Sequence, residues 1–262
     1  MFGQILVEFL FRLTFGVATA MCLTPSKWVT SGFYRVHLWM LLGIQTLAAL
    51  ALYSAQPETT QLVGINRPQF WLAVAAAIGS YVGAVIWMYE RRLIGKIAIA
   101  IVAACALAGC MLPVVAIGDK PIAMQLADRI SGSLLLGLVT TAMLLGHWYL
   151  NTPTMRLEPL KRLIVLLGVA VLLRAAVCAS GAWLEIAALA SSAGLPPSWS
   201  LFVTLRWLAG IAGVLAMAAM TWQTLKIPNT QSATGILYAG VILAFIGELT
   251  SQLLSAAAQY PV

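Results

Sequence analysis

Charge is what this sequence has least of. Charged residues make up 9% of its 262 positions and hydrophobic residues 61%, whereas a soluble domain carries about 25% charged residues. A surface so poor in charge does not hold a folded chain in water, so the solvent expected for most of it is lipid. The net charge is +7, yet the basic residues sit in a few short segments. No basic run with interleaved aromatics occurs, which argues against nucleic acid as a partner.

Cysteine is also sparse: Cys22, Cys105, Cys110 and Cys178, all in or at the edge of apolar stretches. There is no CxxC pair, no CxxCH haem-attachment site and no iron–sulfur spacing. Cys105 and Cys110, five apart, fall on different faces of one helix, so the four read as small apolar packing residues. Catalytic signatures are missing as well. There is no HExxH, no GxSxG, no Walker loop and no GxGxxG followed by an acidic residue, and no catalytic residue is assigned. The first apolar run lacks a basic start and contains Glu8 and Arg12, so it reads as a mature helix and not as a signal peptide. Neither an internal repeat nor a low-complexity tract breaks residues 1–262, which read as one transmembrane domain.

What is present is apolar sequence in lengths that span a bilayer, about 20 residues each. Such windows fall near 4–24, 33–54, 69–89, 93–117, 128–150, 162–190, 197–223 and 231–258. Turn signals separate them, among them Thr24-Pro25-Ser26, Arg67-Pro68, Gly118-Asp119-Lys120-Pro121, Asn151-Thr152-Pro153 and Pro228-Asn229. The expected fold class is therefore an all-α integral membrane protein, a bundle of about eight transmembrane helices. Lys27, Arg35, Arg91, Arg92, Lys96, Arg156, Lys161, Arg162 and Lys226 follow the first, third, fifth and seventh windows, against Arg67, Lys120 and Arg129 on the other side. The positive-inside rule puts the first set in the cytoplasm and both termini on the outer, periplasmic side. The setting implied is the cytoplasmic membrane of a prokaryote. Gly79 with Gly83, and Ala209 with Gly213, have the small-residue spacing that lets helices approach closely.

A charge in hydrocarbon costs several kcal/mol unless it is paired, solvated or able to snorkel, so Glu8, Arg12, Arg174, Glu185, Arg206 and Glu248 are the best pointers to function. Glu8 and Arg12 are four apart and can form an ion pair on one helix face. Arg174 lies near the middle of the sixth window, while Glu185 is close enough to the outer end to snorkel. Arg206 and Glu248 belong to successive antiparallel spans at similar depth. They are expected to approach each other or to share a polar pocket, as a structural salt bridge or in a proton- or quinone-linked role.

His37 and His147 lie near the inner ends of the second and fifth windows. On one helical face from His147 come Met143, Thr140, Ser133 and Arg129, a partly polar stripe five turns long. It can line a water or proton path, or simply hold interhelical hydrogen bonds. Two histidines at similar depth can ligate haem b. No carboxylate or thiol accompanies them at ligand spacing, so no other metal site is assigned.

Two stretches carry a family resemblance. One is Trp199 through Trp207, with Arg206 early in the seventh window, and the other is Ile242-Leu243-Ala244-Phe245-Ile246-Gly247-Glu248-Leu249. The last quarter of the chain resembles the membrane-anchor subunits of the dimethyl sulfoxide reductase and polysulfide reductase type. His147 to Pro153 (HWYLNTP) is faintly similar to that family's His-Leu-Gly-x-Pro loop, though displaced along the chain. The resemblance implies an oxidoreductase-complex subunit in electron transport that exchanges electrons or protons with menaquinone or ubiquinone. Its partners would be iron–sulfur, molybdopterin or cytochrome subunits, docked through loops such as 55–68 or 118–128 outside, or 89–96 and 151–162 inside. Arg206 and Glu248 would form one quinone or proton-transfer pocket, with His147 and Tyr149 as a competing inner one. Other readings stay open: an ion or small-molecule transporter, in which Pro113 is the one deep candidate for a broken helix; a structural subunit; or a haem b cytochrome.

Overall fold

The computed structural model describes residues 2–55, 60–117, 121–152, 154–189, 197–227, 229–257 and 260. Its helices are α1 (Phe2–Leu23), α2 (Ser31–Ser54), α3 (Thr60–Met88), α4 (Arg92–Ile117), α5 (Ile122–Asn151), α6 (Glu158–Leu189), α7 (Pro197–Leu205), α8 (Val214–Thr224) and α9 (Thr230–Ala257). A π-helical segment, Arg206–Gly213, joins α7 to α8, and the three form one span. Among the described residues there are thus eight helical spans long and apolar enough to cross a membrane, and no strand.

Two helices begin well before the apolar windows do. α3 starts at Thr60 and runs through Arg67-Pro68, which is helix and not a connection. α5 starts at Ile122, so Asp128 and Arg129 lie inside it. A hydropathy window stops at the first polar residues, but a helix continues if their side chains find partners. Gln69, for example, donates to the Gly109 carbonyl at 2.8 Å. α4 likewise continues past Pro113 to Ile117, so that proline does not break the span. The expected turn residues Gly118, Asp119, Lys120, Pro153 and Pro228 lie outside the described residues.

α5 is the hub. α1, α6 and α9 pack directly on it, while α2, α3 and α4 form a layer joined to it mainly through α1. Glycine sets the closest approach. A Cβ on Gly16 would lie 1.8 Å from the Ser133 carbonyl oxygen, and one on Gly137 would lie 1.8 Å from the Gly16 carbonyl carbon. Backbone meets backbone here, which no side chain can relieve. Gly79 and Gly83 make looser contacts, with Val102 and with Leu38 and Ala98. Gly213 packs on Leu243, and Ala209 is buried.

Polarity is distributed the opposite way from a soluble protein. Leu50, Trp71, Leu172, Trp183 and Ile242 face outward, while Arg12, Arg174 and Arg206 are each 2% exposed. An apolar outer face around buried charge is stable in lipid and costly in water. At the end of α1, Lys96 Nζ donates to the carbonyls of Cys22 (2.9 Å) and Thr24 (3.0 Å). A cation there satisfies carbonyls that the helix itself leaves unpaired.

Candidate functional site

Four helices send charged side chains to one place beside α5. From α1 come Glu8 and Arg12, one turn apart; from α5, the adjacent Asp128 and Arg129; from α6, Arg174; and from α9, Glu248. Arg174 lies about 24 Å along α6 from its start, halfway down the helix.

Arg12 joins three carboxylates. Its Nη2 donates to Glu8 Oε1 at 2.5 Å and to Asp128 Oδ2 at 2.9 Å, and its Nη1 donates to Glu248 Oε1. Arg174 takes the opposite oxygens of the same two buried acids. Nη1 donates to Asp128 Oδ1 at 2.7 Å and to the Asp128 carbonyl at 2.8 Å; Nη2 donates to Glu248 Oε2 and Ser251 Oγ, both at 3.0 Å. Asp128 and Glu248 are therefore each held between two guanidinium groups. Arg129 Nη1 donates to the Cys110 carbonyl at 2.6 Å and pairs with Glu8 Oε1 at 3.2 Å. Shared oxygens and fixed forks of this kind compensate the desolvation of charge that an isolated buried ion would suffer.

Gly132 on α5 makes room for the centre, since a Cβ there would come 2.6 Å from Glu248 Oε1. One residue before Glu248, Gly247 touches Gly210 of the π segment; a Cβ on Gly247 would lie 2.2 Å from the Gly210 Cα. α9 and the π segment are thereby pressed together beside the charges.

Arg206 stands at the first position of that π segment and does not join the ion pairs. Its Nη2 donates to Cys178 Sγ on α6, and its Nη1, although buried, has no hydrogen-bond partner among the described residues. Arg206 lines a narrow cleft, with about 10 Å³ of free interior, together with Arg174, Glu248, Gly210, Gly247 and Ala244, among others. The expected sharing of a pocket by Arg206 and Glu248 is thus observed, while the direct ion pairs of Glu248 go to Arg12 and Arg174. Gln252, one turn along α9 from Glu248, is buried with neither amide atom bonded among the described residues.

The remaining candidates lie elsewhere. His37 is buried, its Nδ1 2.6 Å from the Phe33 carbonyl oxygen and its ring against Phe33 and Trp148. His147 is exposed, with Nδ1 3.3 Å from the hydroxyl of Tyr238 on α9. The two histidines take separate partners. Tyr149, two positions from His147 and so turned away from it on the helix, donates its hydroxyl to the Arg156 carbonyl and ties the α5–α6 connection. In the α5 stripe, Ser133 and Thr140 are buried, and Ser133 donates to the Arg129 carbonyl at 2.6 Å. Glu185 does not snorkel: it is buried, and its carboxylate accepts the Tyr260 backbone N–H at 2.9 Å. No group of three or more His, Cys, Asp and Glu suited to a metal ion occurs among the described residues.

Sequence reasoning missed Asp128, because it stands where the fifth apolar window begins. The signal that would have found it is the apolar run Ile122-Ala123-Met124 and Leu126-Ala127 just before it, which extends the helix outward by two turns. Arg129, read as a surface charge, is drawn into the same centre.

Comparison of the chain with models of protein families, with curated proteins and with solved structures found no match. What fold and site together define, among the described residues, is a bundle of eight apolar helices around a buried ion-pair centre, with an arginine-lined cleft beside it.

Proposed function

We propose that this chain is the membrane subunit of a multi-subunit redox complex of a prokaryotic cytoplasmic membrane, with both termini outside, and that a quinone head group binds at the Arg206 cleft. The observation that carries the reading is the buried Arg206 Nη1, without a hydrogen-bond partner among the described residues, in a cleft it shares with the Glu248 carboxylate. A quinone carbonyl needs a hydrogen-bond donor, and oxidation of the quinol needs a proton acceptor nearby. Arg206 fits the first role. The Glu248 carboxylate, which lines the same cleft, fits the second. With about 10 Å³ of free interior, the cleft admits a group the size of one water molecule. Only a carbonyl oxygen of the head group enters, and the ring and isoprenoid tail lie along the apolar outer faces.

Extraction and chromatography of lipids bound to the purified chain test this. A hydrogen bond from a charged donor contributes about 1.5–3 kcal/mol, so Arg206→Gln is expected to weaken quinone binding about ten- to a hundredfold. Menaquinone or ubiquinone retained equally by Arg206→Gln would remove the cleft from the reading.

A structural role is favoured for the rest of the centre by one observation: Asp128 and Glu248 have both carboxylate oxygens engaged by Arg12 and Arg174. Arg12, Asp128 and Arg174 act as the lock that holds α1, α5, α6 and α9 in register.

A further inference from the structure

Among the described residues, the charges of the centre do not balance. Four guanidinium groups, Arg12, Arg129, Arg174 and Arg206, gather with three carboxylates, Glu8, Asp128 and Glu248. Arg12, Arg129 and Arg174 each pair with at least one of these acids, and Arg206 is left with a thiol, Cys178. The next carboxylate on α6, Glu185, lies seven residues beyond Cys178, about 10 Å along the helix, where it accepts the Tyr260 N–H. An uncompensated charge taken out of water costs several kcal/mol even after the surroundings relax. A water molecule can fill a hydrogen-bond vacancy but supplies no charge.

We infer that the Arg206 cleft is a binding site for one small monovalent anion of the chloride class, which balances the guanidinium charge left over by the seven-residue cluster. Three independent features meet there. The excess is a single positive charge. The residue that carries it is 2% exposed, with Nη1 unpartnered among the described residues. Arg206 also lines a cleft whose walls include Gly210, Gly247 and Ala244, residues with little or no side chain to stand between an ion and the guanidinium. The π turn contributes to this placement. It starts at Arg206 and widens the helix where a regular α-turn would keep the side chain in a different register. The inference goes beyond the quinone reading and does not depend on it. If both hold, halide and quinone compete for Arg206.

The test uses the full chain in an uncharged detergent, in gluconate buffer without quinone, with chloride as the probe. The line width of the ³⁵Cl resonance is followed as chloride replaces gluconate at constant ionic strength. Saturable excess broadening is expected for the wild-type protein. It should be abolished in Arg206→Gln and retained, with affinity lowered about tenfold or less, in Arg206→Lys, which keeps the charge and the fold. Lys161→Gln, far from the centre, should match the wild type. Absence of saturable broadening in the folded wild-type protein would overturn the inference. Broadening undiminished in a folded Arg206→Gln would overturn it equally, by placing the halide elsewhere. If Arg206→Gln does not fold, loss of the broadening in Arg206→Lys decides against the site. A chloride site in a protein that binds no quinone would leave this inference standing and the quinone reading refuted.

Discussion

Arg174→Met removes the guanidinium that engages both buried acids while keeping most of the side-chain volume. Two ion pairs vanish, to Asp128 at 2.7 Å and to Glu248 at 3.0 Å, together with the bonds to Ser251, Ser131 and the Asp128 carbonyl. What remains is two buried carboxylates sharing Arg12. Breaking a buried pair by removing one partner typically costs about 3–5 kcal/mol, because the surviving charge is left uncompensated. The same reasoning fixes the sign of a second experiment. Arg174→Met combined with Asp128→Leu removes one charge of each sign, so the double variant should be less destabilised than Arg174→Met alone. A coupling energy on the order of 1–3 kcal/mol between the two positions follows for directly paired groups. Reversible unfolding in mixed micelles, read by circular dichroism, gives all four corners of the cycle. An Arg174→Met change within about 0.5 kcal/mol of wild type, the range of an ordinary surface substitution, would refute the lock. So would a double variant whose cost equals the sum of the singles.

Two further outcomes are expected. Gly137→Ala should destabilise the fold by about 3 kcal/mol or more, since the new methyl group meets Gly16 backbone and overpacking of this kind has no rotamer escape. Gly43→Ala, where nothing lies within 4 Å of the added carbon, should be neutral or mildly stabilising in the same unfolding assay. For orientation, a cysteine placed at Lys161 in a cysteine-free chain should react with a membrane-impermeant maleimide only after the cells are opened. Labelling in intact cells would reverse the proposed topology.

The helical spans were legible in the sequence because an apolar run of bilayer length has few other physical solutions. Glu8 and Arg12 were legible as a pair, being one helical turn apart. Their convergence with Arg174 and Glu248 was not. Sequence order does not say which four of eight helices share an axis, and residues 12, 128, 174 and 248 meet only through tertiary packing. Asp128 and Arg129 were misjudged by the measure that found the spans, since averaged hydropathy cannot tell a charge at a helix end from one buried with partners. The closest helix contact, Gly16 with Gly137, has one glycine on each helix and no GxxxG spacing to announce it. The π segment has no proline to mark it; its glycines, Gly210 and Gly213, also suit an ordinary packing face. The shared pocket of Arg206 and Glu248 was anticipated from depth alone, because two spans joined by a short connection run antiparallel.

The most direct test of the central claim is gentle detergent purification of the chain from its native membrane, with mass spectrometry of co-purifying proteins and extracted lipids. The account predicts a complex containing iron–sulfur, molybdopterin or cytochrome subunits, with quinone bound at close to one per chain. A stable, monomeric chain with no redox partner and no quinone would contradict it.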